Sequence, residues 1–228
     1  MAFDHANGRA ITPSQLAVGI SRGDFATHIG LVFTDAKKQM KLIHLAWHKR
    51  IKVDEYPTTG CWVASIPDIP PTTAKAFIGV LRKLAKRQPQ IPYGIDVLGA
   101  FGSFSPDGDY KAPKGSDGLT CTTFVSELFR AVGIPVIAEA TWPAGVNTEW
   151  AQKVCELLIR TGAEADHVAA VQANAAGLRI RPEEFGAAVD RPYAQWEIDY
   201  PQAEAGAVEV MAVLNLRCPL LPGGALIH

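Results

Sequence analysis

A helix that begins with a cysteine is predicted by the segment Gly118-Leu-Thr-Cys-Thr-Thr-Phe-Val-Ser-Glu-Leu-Phe-Arg-Ala-Val-Gly-Ile-Pro135. Thr120 is a suitable N-cap, Gly133 stands where helices commonly end, and Pro135 prevents continuation. Cys121 precedes apolar residues of this segment by three, four and seven positions, so we expect it on the inward face of the first helical turn. The predicted buried stripe consists of Phe124, Val125, Leu128, Phe129 and Val132.

Cys121 has two interpretations from this segment alone. The positive end of a helix favours the thiolate, which is the nucleophilic form, and therefore predicts a lowered thiol pKa. The unbonded N–H groups of the first turn can also stabilise an oxyanion. The alternative is a core cysteine, because free cysteine is among the most buried residue types.

Composition is that of an ordinary globular protein. The chain has 228 residues, of which 48% are hydrophobic and 20% charged, enough for one large domain or one domain with an appended segment. The net charge of −1 gives no overall indication of a nucleic-acid or anionic membrane partner. Basic residues gather at positions 37–52 and 82–87, and such runs are most often solvated faces. We therefore expect no nucleic-acid partner.

The four cysteines, Cys61, Cys121, Cys155 and Cys218, are widely spaced and include no C-x-x-C pair. This spacing argues against a structural zinc site, and we expect neither a metal nor a cofactor. The sequence has no signal-peptide pattern and no apolar run of membrane-spanning length. The default expectation is a cytoplasmic protein without an integral membrane segment, although a mature exported protein would have the same pattern.

Two predicted strands carry histidines that can assist Cys121. Residues 16–20 and 26–33 predict a strand pair, and residues 40–53 predict one long strand, so an antiparallel sheet brings His28 and His44 together. In a nucleophile–base–orienter arrangement, His28 would take the thiol proton and His44 would orient His28. For each histidine alone, a half-buried structural side chain is the alternative. His48 is expected to be structural or a substrate contact.

The remaining chain is predicted to be mainly helical. Helices are expected at residues 72–87, 147–161, 164–176 and 182–189, with a short helical piece at 95–101 inside a long loop, and strands at 61–66 and 208–216. Residues 1–135 would form the catalytic core. Residues 136–228 would form a helical extension with a C-terminal strand, either as a subdomain or cap or as part of the same domain.

Four short motifs resemble one enzyme family. Thr27-His-Ile-Gly-Leu-Val-Phe33 resembles the histidine strand of NlpC-type papain-like cysteine peptidases, and Gly118-Leu-Thr-Cys-Thr-Thr-Phe-Val125 resembles their cysteine helix. Histidine before cysteine is similar to the circularly permuted branch, which includes lecithin:retinol acyltransferase-like enzymes. Ile43-His-Leu45 resembles the second histidine of that branch. Ile91-Pro-Tyr-Gly94 resembles the segment whose tyrosine, here Tyr93, lies beside the nucleophile.

The resemblance implies an α+β papain-like fold of the permuted NlpC type, with an antiparallel sheet packed on the cysteine helix. It also implies a thiol hydrolase of the peptidase or amidase type that cleaves an amide or ester through an acyl-thioester on Cys121. The expected substrate is a small peptide, amide or lipid-like molecule. The alternatives are an acyltransferase acting on a lipid-like substrate and a catalytically inactive binding module. Thr122-Thr123 replaces the more usual pair of small residues, and His44 lies a few residues further from His28 than the family pattern predicts.

Overall fold

The computed structural model describes residues 16–23, 26–56, 61–66, 68–145 and 148–217. In this part of the chain a five-stranded antiparallel sheet is combined with six α-helices, an α+β arrangement. The strand order is β4-β3-β2-β1-β5. The strands are β1 (Ala17–Arg22), β2 (Thr27–Thr34), β3 (Met40–Trp47), β4 (Arg50–Glu55) and β5 (Cys61–Ser65).

The helices surround one side of this sheet. They are α1 (Pro71–Arg87), α2 (Cys121–Ala131), α3 (Thr148–Arg160), α4 (Ala165–Ala173), α5 (Pro182–Val189) and α6 (Tyr200–Arg217). α2 contacts β2 and β3, and α5 contacts β1, β2, β5 and α2. Among the described residues, no helix is both long and apolar enough to cross a bilayer.

Strand alternation divides β2 between two environments. Ile29, Leu31 and Phe33 belong to the main core, whereas Val32 belongs to a smaller cluster on the opposite face. His28 and Gly30 share the face of Val32. A Cβ atom at Gly30 would lie 2.9 Å from the Ile43 carbonyl oxygen and 3.0 Å from His44 Cβ, so glycine permits β3 to approach closely here.

The cysteine helix α2 begins and ends as the sequence predicts. Thr120 Oγ1 accepts the N–H of Thr123 at 3.0 Å, and Thr123 Oγ1 accepts the N–H of Thr120 at 2.7 Å, which together form a capping box. At the other end Gly133 has φ 79° and its N–H bonds to the Arg130 carbonyl at 2.9 Å. Cys121 is therefore the first helical residue, and it is 6% exposed.

The single long strand expected at residues 40–53 is wrong, because the chain turns after Trp47 and returns as β4. Lys49 adopts φ 58°, a left-handed conformation that lysine takes only when other contacts hold it. The Lys49 N–H donates to the Ile91 carbonyl at 2.8 Å, which supplies such a contact. The return strand places Asp54 opposite Leu42, beside His44.

The C-terminal strand expected at residues 208–216 is also wrong, since these residues form the second half of α6. Ala203, Ala207, Val210 and Leu214 are all 3% exposed or less, and their spacing of four, three and four is the helical period. The apolar alternation at positions 208, 210, 212 and 214 coincides with this period only in part. Likewise, residues 95–101 contain turns rather than the expected helical piece.

The described residues after position 135 complete the core of the sheet. One hydrophobic cluster extends from Leu16 to Leu214 and includes side chains of β1, α2, α5 and α6. Phe185 of α5 is fully buried, and its ring lies 5.8 Å from that of Phe129 on α2. These helices are therefore part of the same packed unit as the cysteine helix.

Candidate functional site

Two histidines and an aspartate form a hydrogen-bonded chain on β2, β3 and β4. His28 Nε2 lies 2.6 Å from His44 Nδ1, and His44 Nε2 lies 2.9 Å from Asp54 Oδ2. Both rings are buried, at 7% and 5% exposure, whereas the Asp54 side chain is 53% exposed. The predicted partnership of His28 and His44 is thus present as a direct contact, and it continues to a carboxylate at the surface.

The carboxylate determines which ring nitrogens carry protons when both rings are neutral. The Asp54 carboxylate accepts a hydrogen bond, so His44 carries its proton on Nε2 and presents a lone pair at Nδ1. His28 then donates Nε2–H to His44. The remaining nitrogen, His28 Nδ1, has a lone pair and is the basic atom of the arrangement.

Cys121 lies beside the residue that follows His28. The Ile29 backbone N–H lies close enough to the Cys121 thiol to lower its pKa as a donor would. Gly23 N–H bonds to Ala26 O in the β1–β2 hairpin, so by alternation Ile29 directs its N–H away from β1 and towards the β3 side. The paired register of β2 and β3 stops at Leu31↔Ile43, before Ile29 is reached.

Cys121 belongs to the main core cluster, together with Ile29 and Tyr93. By strand alternation the His28 side chain starts from the opposite face of β2, so the imidazole reaches the thiol only around the end of the β2–β3 ladder. The hydrogen bonds found among the described residues do not include one between Cys121 Sγ and the His28 ring. The direct thiol–imidazole contact stays a prediction.

Burial sets the protonation of both groups in the free protein. The pKa of His28 is lowered well below its usual value, mainly by burial and then by the neighbouring His44. The pKa of Cys121 is raised, because burial outweighs the stabilising effects of the Ile29 N–H, Thr122 and Arg179. The lowered thiol pKa expected from the helix end is therefore wrong, and the resting pair is a neutral thiol and a neutral imidazole.

We expect the alkylation of Cys121 by iodoacetamide to accelerate with pH beyond about 8.5, the ordinary thiol value. A raised pKa means that less thiolate exists at every pH below it, so the rate keeps rising where an activated thiolate would have reached its plateau. Peptide mass spectrometry of quenched samples measures this rate, with the buried Cys155, whose pKa is also raised, as an internal reference. Cys218 and the side chain of Cys61 lie outside the described residues. A plateau below about pH 7 would show a preformed thiolate instead.

Tyr93 lies next to the thiol, as the family resemblance implies. The Cys121 side chain and backbone N–H both act on the Tyr93 hydroxyl closely enough to shift its pKa. Burial and the neighbouring Cys121 raise the pKa of Tyr93 well above its usual value, so the hydroxyl keeps its proton at neutral pH. An isolated parallel bridge, Tyr93↔Leu119, connects this segment to the residues just before α2.

Two further histidines hold the Tyr93 backbone. Tyr93 N–H donates to His48 Nδ1 at 3.3 Å, and His167 Nε2 lies 3.0 Å from the Tyr93 carbonyl oxygen. The rings of His48 and His167 are 4.5 Å apart, and Trp47 packs 4.6 Å from the Tyr93 ring. Of the two roles expected for His48, the structural one is supported by its Nδ1, which accepts the Tyr93 N–H, while its Nε2 lies 3.6 Å from a Glu164 carboxylate oxygen.

Glycine is required where the Tyr93 segment meets the cysteine helix. Gly118 has φ +116°, and a Cβ atom there would overlap the Pro92 carbonyl. The Leu119 N–H donates to that same carbonyl at 3.0 Å. Asp117 accepts hydrogen bonds from the N–H groups of Ile95 and Asp96, both at 3.1 Å. These bonds tie the residues after the Tyr93 segment to the residues before the cysteine helix.

The sequence interpretation missed two residues of this site. Asp54 was missed because one long strand was expected at residues 40–53. A turn at Lys49 would have paired Lys52 with His44 and placed Asp54, two residues further on, beside His44. Arg179 carries a positive charge close enough to influence the pKa of both Cys121 and Tyr93, yet it lies 58 positions after the cysteine (179 − 121) in a segment without a recognisable motif. Only the folded arrangement of the C-terminal helices identifies it.

Comparison with known proteins adds no relative. No family model, no curated protein and no solved structure matches the chain. The case for function therefore rests on the geometry of Cys121, Tyr93 and the His28–His44–Asp54 chain, together with the motifs that resemble NlpC-type peptidases.

Proposed function

We propose that this protein is a thiol hydrolase with a permuted NlpC-type papain-like fold, which cleaves an amide or ester through an acyl-thioester on Cys121. The observation that carries the proposal is the His28–His44–Asp54 chain, which leaves one basic nitrogen on His28. The next residue, Ile29, has a backbone N–H close enough to the Cys121 thiol to lower its pKa. A core cysteine and two structural histidines would not require a carboxylate-terminated relay. The order of the groups matches nucleophile, base and orienter.

In the proposed first step, Cys121 Sγ attacks the acyl carbon while His28 Nδ1 takes the thiol proton. A neutral thiol and a neutral imidazole are the forms this step needs, so no preformed thiolate is required. The imidazolium that results donates Nε2–H to His44, whose own N–H donates to Asp54. The partly exposed carboxylate thus balances the charge that develops on the buried ring.

The oxyanion of the tetrahedral intermediate has two nearby donors. The Tyr93 hydroxyl lies within reach of Cys121, and the N–H of the first residue of a helix has no acceptor inside the helix. Collapse of the intermediate breaks the bond to the leaving amine or alcohol, which takes the proton from His28. Water then attacks the thioester with His28 as base and releases the carboxylic acid and the free thiol.

We expect incubation with a p-nitrophenyl ester to add one acyl group to Cys121. Intact-mass and peptide-mapping spectrometry detect the adduct, and its disappearance with time reports hydrolysis. Cys121→Ala should remain unmodified, whereas the control Cys155→Ala should acylate like the wild type. An adduct that persists in water but is released by added alcohols or amines indicates an acyltransferase. If iodoacetamide modifies Cys121 but no ester acylates it, the protein is a binding module and the hydrolase proposal is wrong.

A further inference from the structure

The Arg179 guanidinium packs on a tryptophan ring and not against an acid. Its guanidinium lies 4.0 Å from the centroid of the Trp150 ring on α3. It follows Leu178, which forms a bridge to Ala144, and it precedes the α5 helix that packs on the sheet. A stacked guanidinium keeps its in-plane N–H groups available, because the aromatic ring occupies only one face of it.

Arg179 lies within electrostatic reach of the reacting groups. Cys121 and Tyr93 both oppose the lowering of its pKa by burial, and Arg179 in turn lowers the pKa of each of them. Glu183 is the further acid that acts on it. Its Oε2 accepts the Thr27 hydroxyl, and its other oxygen lies 3.8 Å from Arg181.

Two other partly buried arginines are paired with acids, and Arg179 is not. Arg130 bonds to Glu127 and Glu139, and Arg181 bonds to Glu184 at 2.6 Å. Within the part of the chain that the structure describes, Arg179 makes no hydrogen bond and no ion pair, and its guanidinium packs on Trp150. A half-buried guanidinium is costly to leave without an anion, so its donors are available for a ligand that enters the site.

We propose that Arg179 recognises a carboxylate of the substrate, so that the substrate class is an acyl compound with a free carboxylate close to the scissile bond. This inference rests on the proposed hydrolase function, since it assigns the substrate of that same site. The planar guanidinium can bind both carboxylate oxygens, which fixes the orientation of the acyl group relative to Cys121. A free carboxylate of this kind occurs at the end of a peptide or on an acidic side chain.

The test compares two alkylating agents of similar size, anionic iodoacetate and neutral iodoacetamide, at Cys121. In Arg179→Gln we expect the rate ratio of iodoacetate to iodoacetamide to fall about tenfold, the size of one charge-assisted contact to a partly solvated group. Any change in the thiol pKa affects both agents equally and cancels in the ratio. Arg179→Lys should give an intermediate ratio, because the lysine ammonium attracts the anion but cannot form the bidentate hydrogen bonds of a guanidinium.

Arg160→Gln is the matched control, since it removes one exposed charge at the end of α3 and should leave the ratio unchanged. Thermal unfolding of each variant checks that the fold is retained, and Arg179→Lys keeps the positive charge beside Trp150 if Arg179→Gln is unstable. An equal ratio in wild type, Arg179→Lys and Arg179→Gln overturns the proposal, and so does a Cys121 that neither agent can reach.

The alkylation ratio is independent of turnover. A ratio that falls in Arg179→Gln while esters fail to acylate Cys121 supports the anion site and contradicts the hydrolase. In an active enzyme, p-nitrophenyl esters that end in a carboxylate should exceed their carboxamide counterparts in kcat/KM by about tenfold, and Arg179→Gln should abolish that preference. Acylation without any such preference contradicts the carboxylate proposal but does not contradict the hydrolase proposal.

Discussion

His28→Ala is expected to lower single-turnover acylation of Cys121 about ten-thousandfold. The variant removes the only basic nitrogen of the histidine chain, and the raised pKa of Cys121 leaves little thiolate to react without a base. Stopped-flow release of p-nitrophenol measures the step directly. The decrease in acylation rate caused by His28→Ala should become smaller at high pH, where the thiol ionises without a general base.

His44→Ala should lower the acylation rate less than His28→Ala does, and Asp54→Ala should lower it less than His44→Ala. His44 fixes the tautomer and ring orientation of His28 but takes no proton from the substrate, so some turnover survives its removal. His44→Gln and His44→Asn should retain more activity than alanine, because a side-chain carbonyl still accepts the His28 N–H. Asp54 is half exposed, and water can replace part of its role after truncation.

The double variant His28→Ala/His44→Ala provides the control for this order. If the two rings act as one unit, the double variant should be no slower than His28→Ala alone. Additive losses would mean that His44 acts on the substrate separately. An active His28→Ala beside an inactive His44→Ala would exchange the two roles, and full activity in both would exclude the relay from catalysis.

Strand alternation predicted the face shared by His28 and His44, but it could not predict the partner of His44. That partner depends on where the chain turns, and the turn at His48-Lys49 contains none of the glycine, proline or asparagine residues that usually mark one. Lys49 adopts its left-handed conformation because a long-range hydrogen bond to the 91–93 segment holds it. Asp54 therefore becomes visible only once tertiary contacts are known.

Competing physical effects explain the other differences. A helix start favours a thiolate by about 0.3–1 kcal/mol, whereas full burial can shift a pKa by several units, so burial prevails at Cys121. In α6 the apolar residues at positions 208, 210, 212 and 214 follow a period of two, whereas the buried residues at 207, 210 and 214 follow the helical period, and packing against α5 selects the helix. The position of the Arg179 guanidinium depends on its contact with Trp150, which lies on α3. Sequence patterns place that helix only approximately, so they could not predict the contact.

Tyr93→Phe is expected to slow acylation by p-nitrophenyl esters by about 10²–10³-fold, the usual loss for one oxyanion donor. The hydroxyl lies within reach of the Cys121 side chain, and its raised pKa keeps the donor proton in place at neutral pH. Single-turnover acylation at saturating and at low ester concentration separates the effect on the chemical step from any effect on binding. The loss should appear mainly in the chemical step.

Phenylalanine is a matched replacement because it preserves what positions the residue. The ring can still pack on Trp47, and the backbone contacts to His48 and His167 do not involve the hydroxyl. Alkylation by iodoacetamide passes through no tetrahedral oxyanion, so its rate should change far less than acylation does. If both rates fall together, Tyr93 governs the state or accessibility of the thiol; if neither falls, the oxyanion is held by backbone N–H groups of the α2 helix alone.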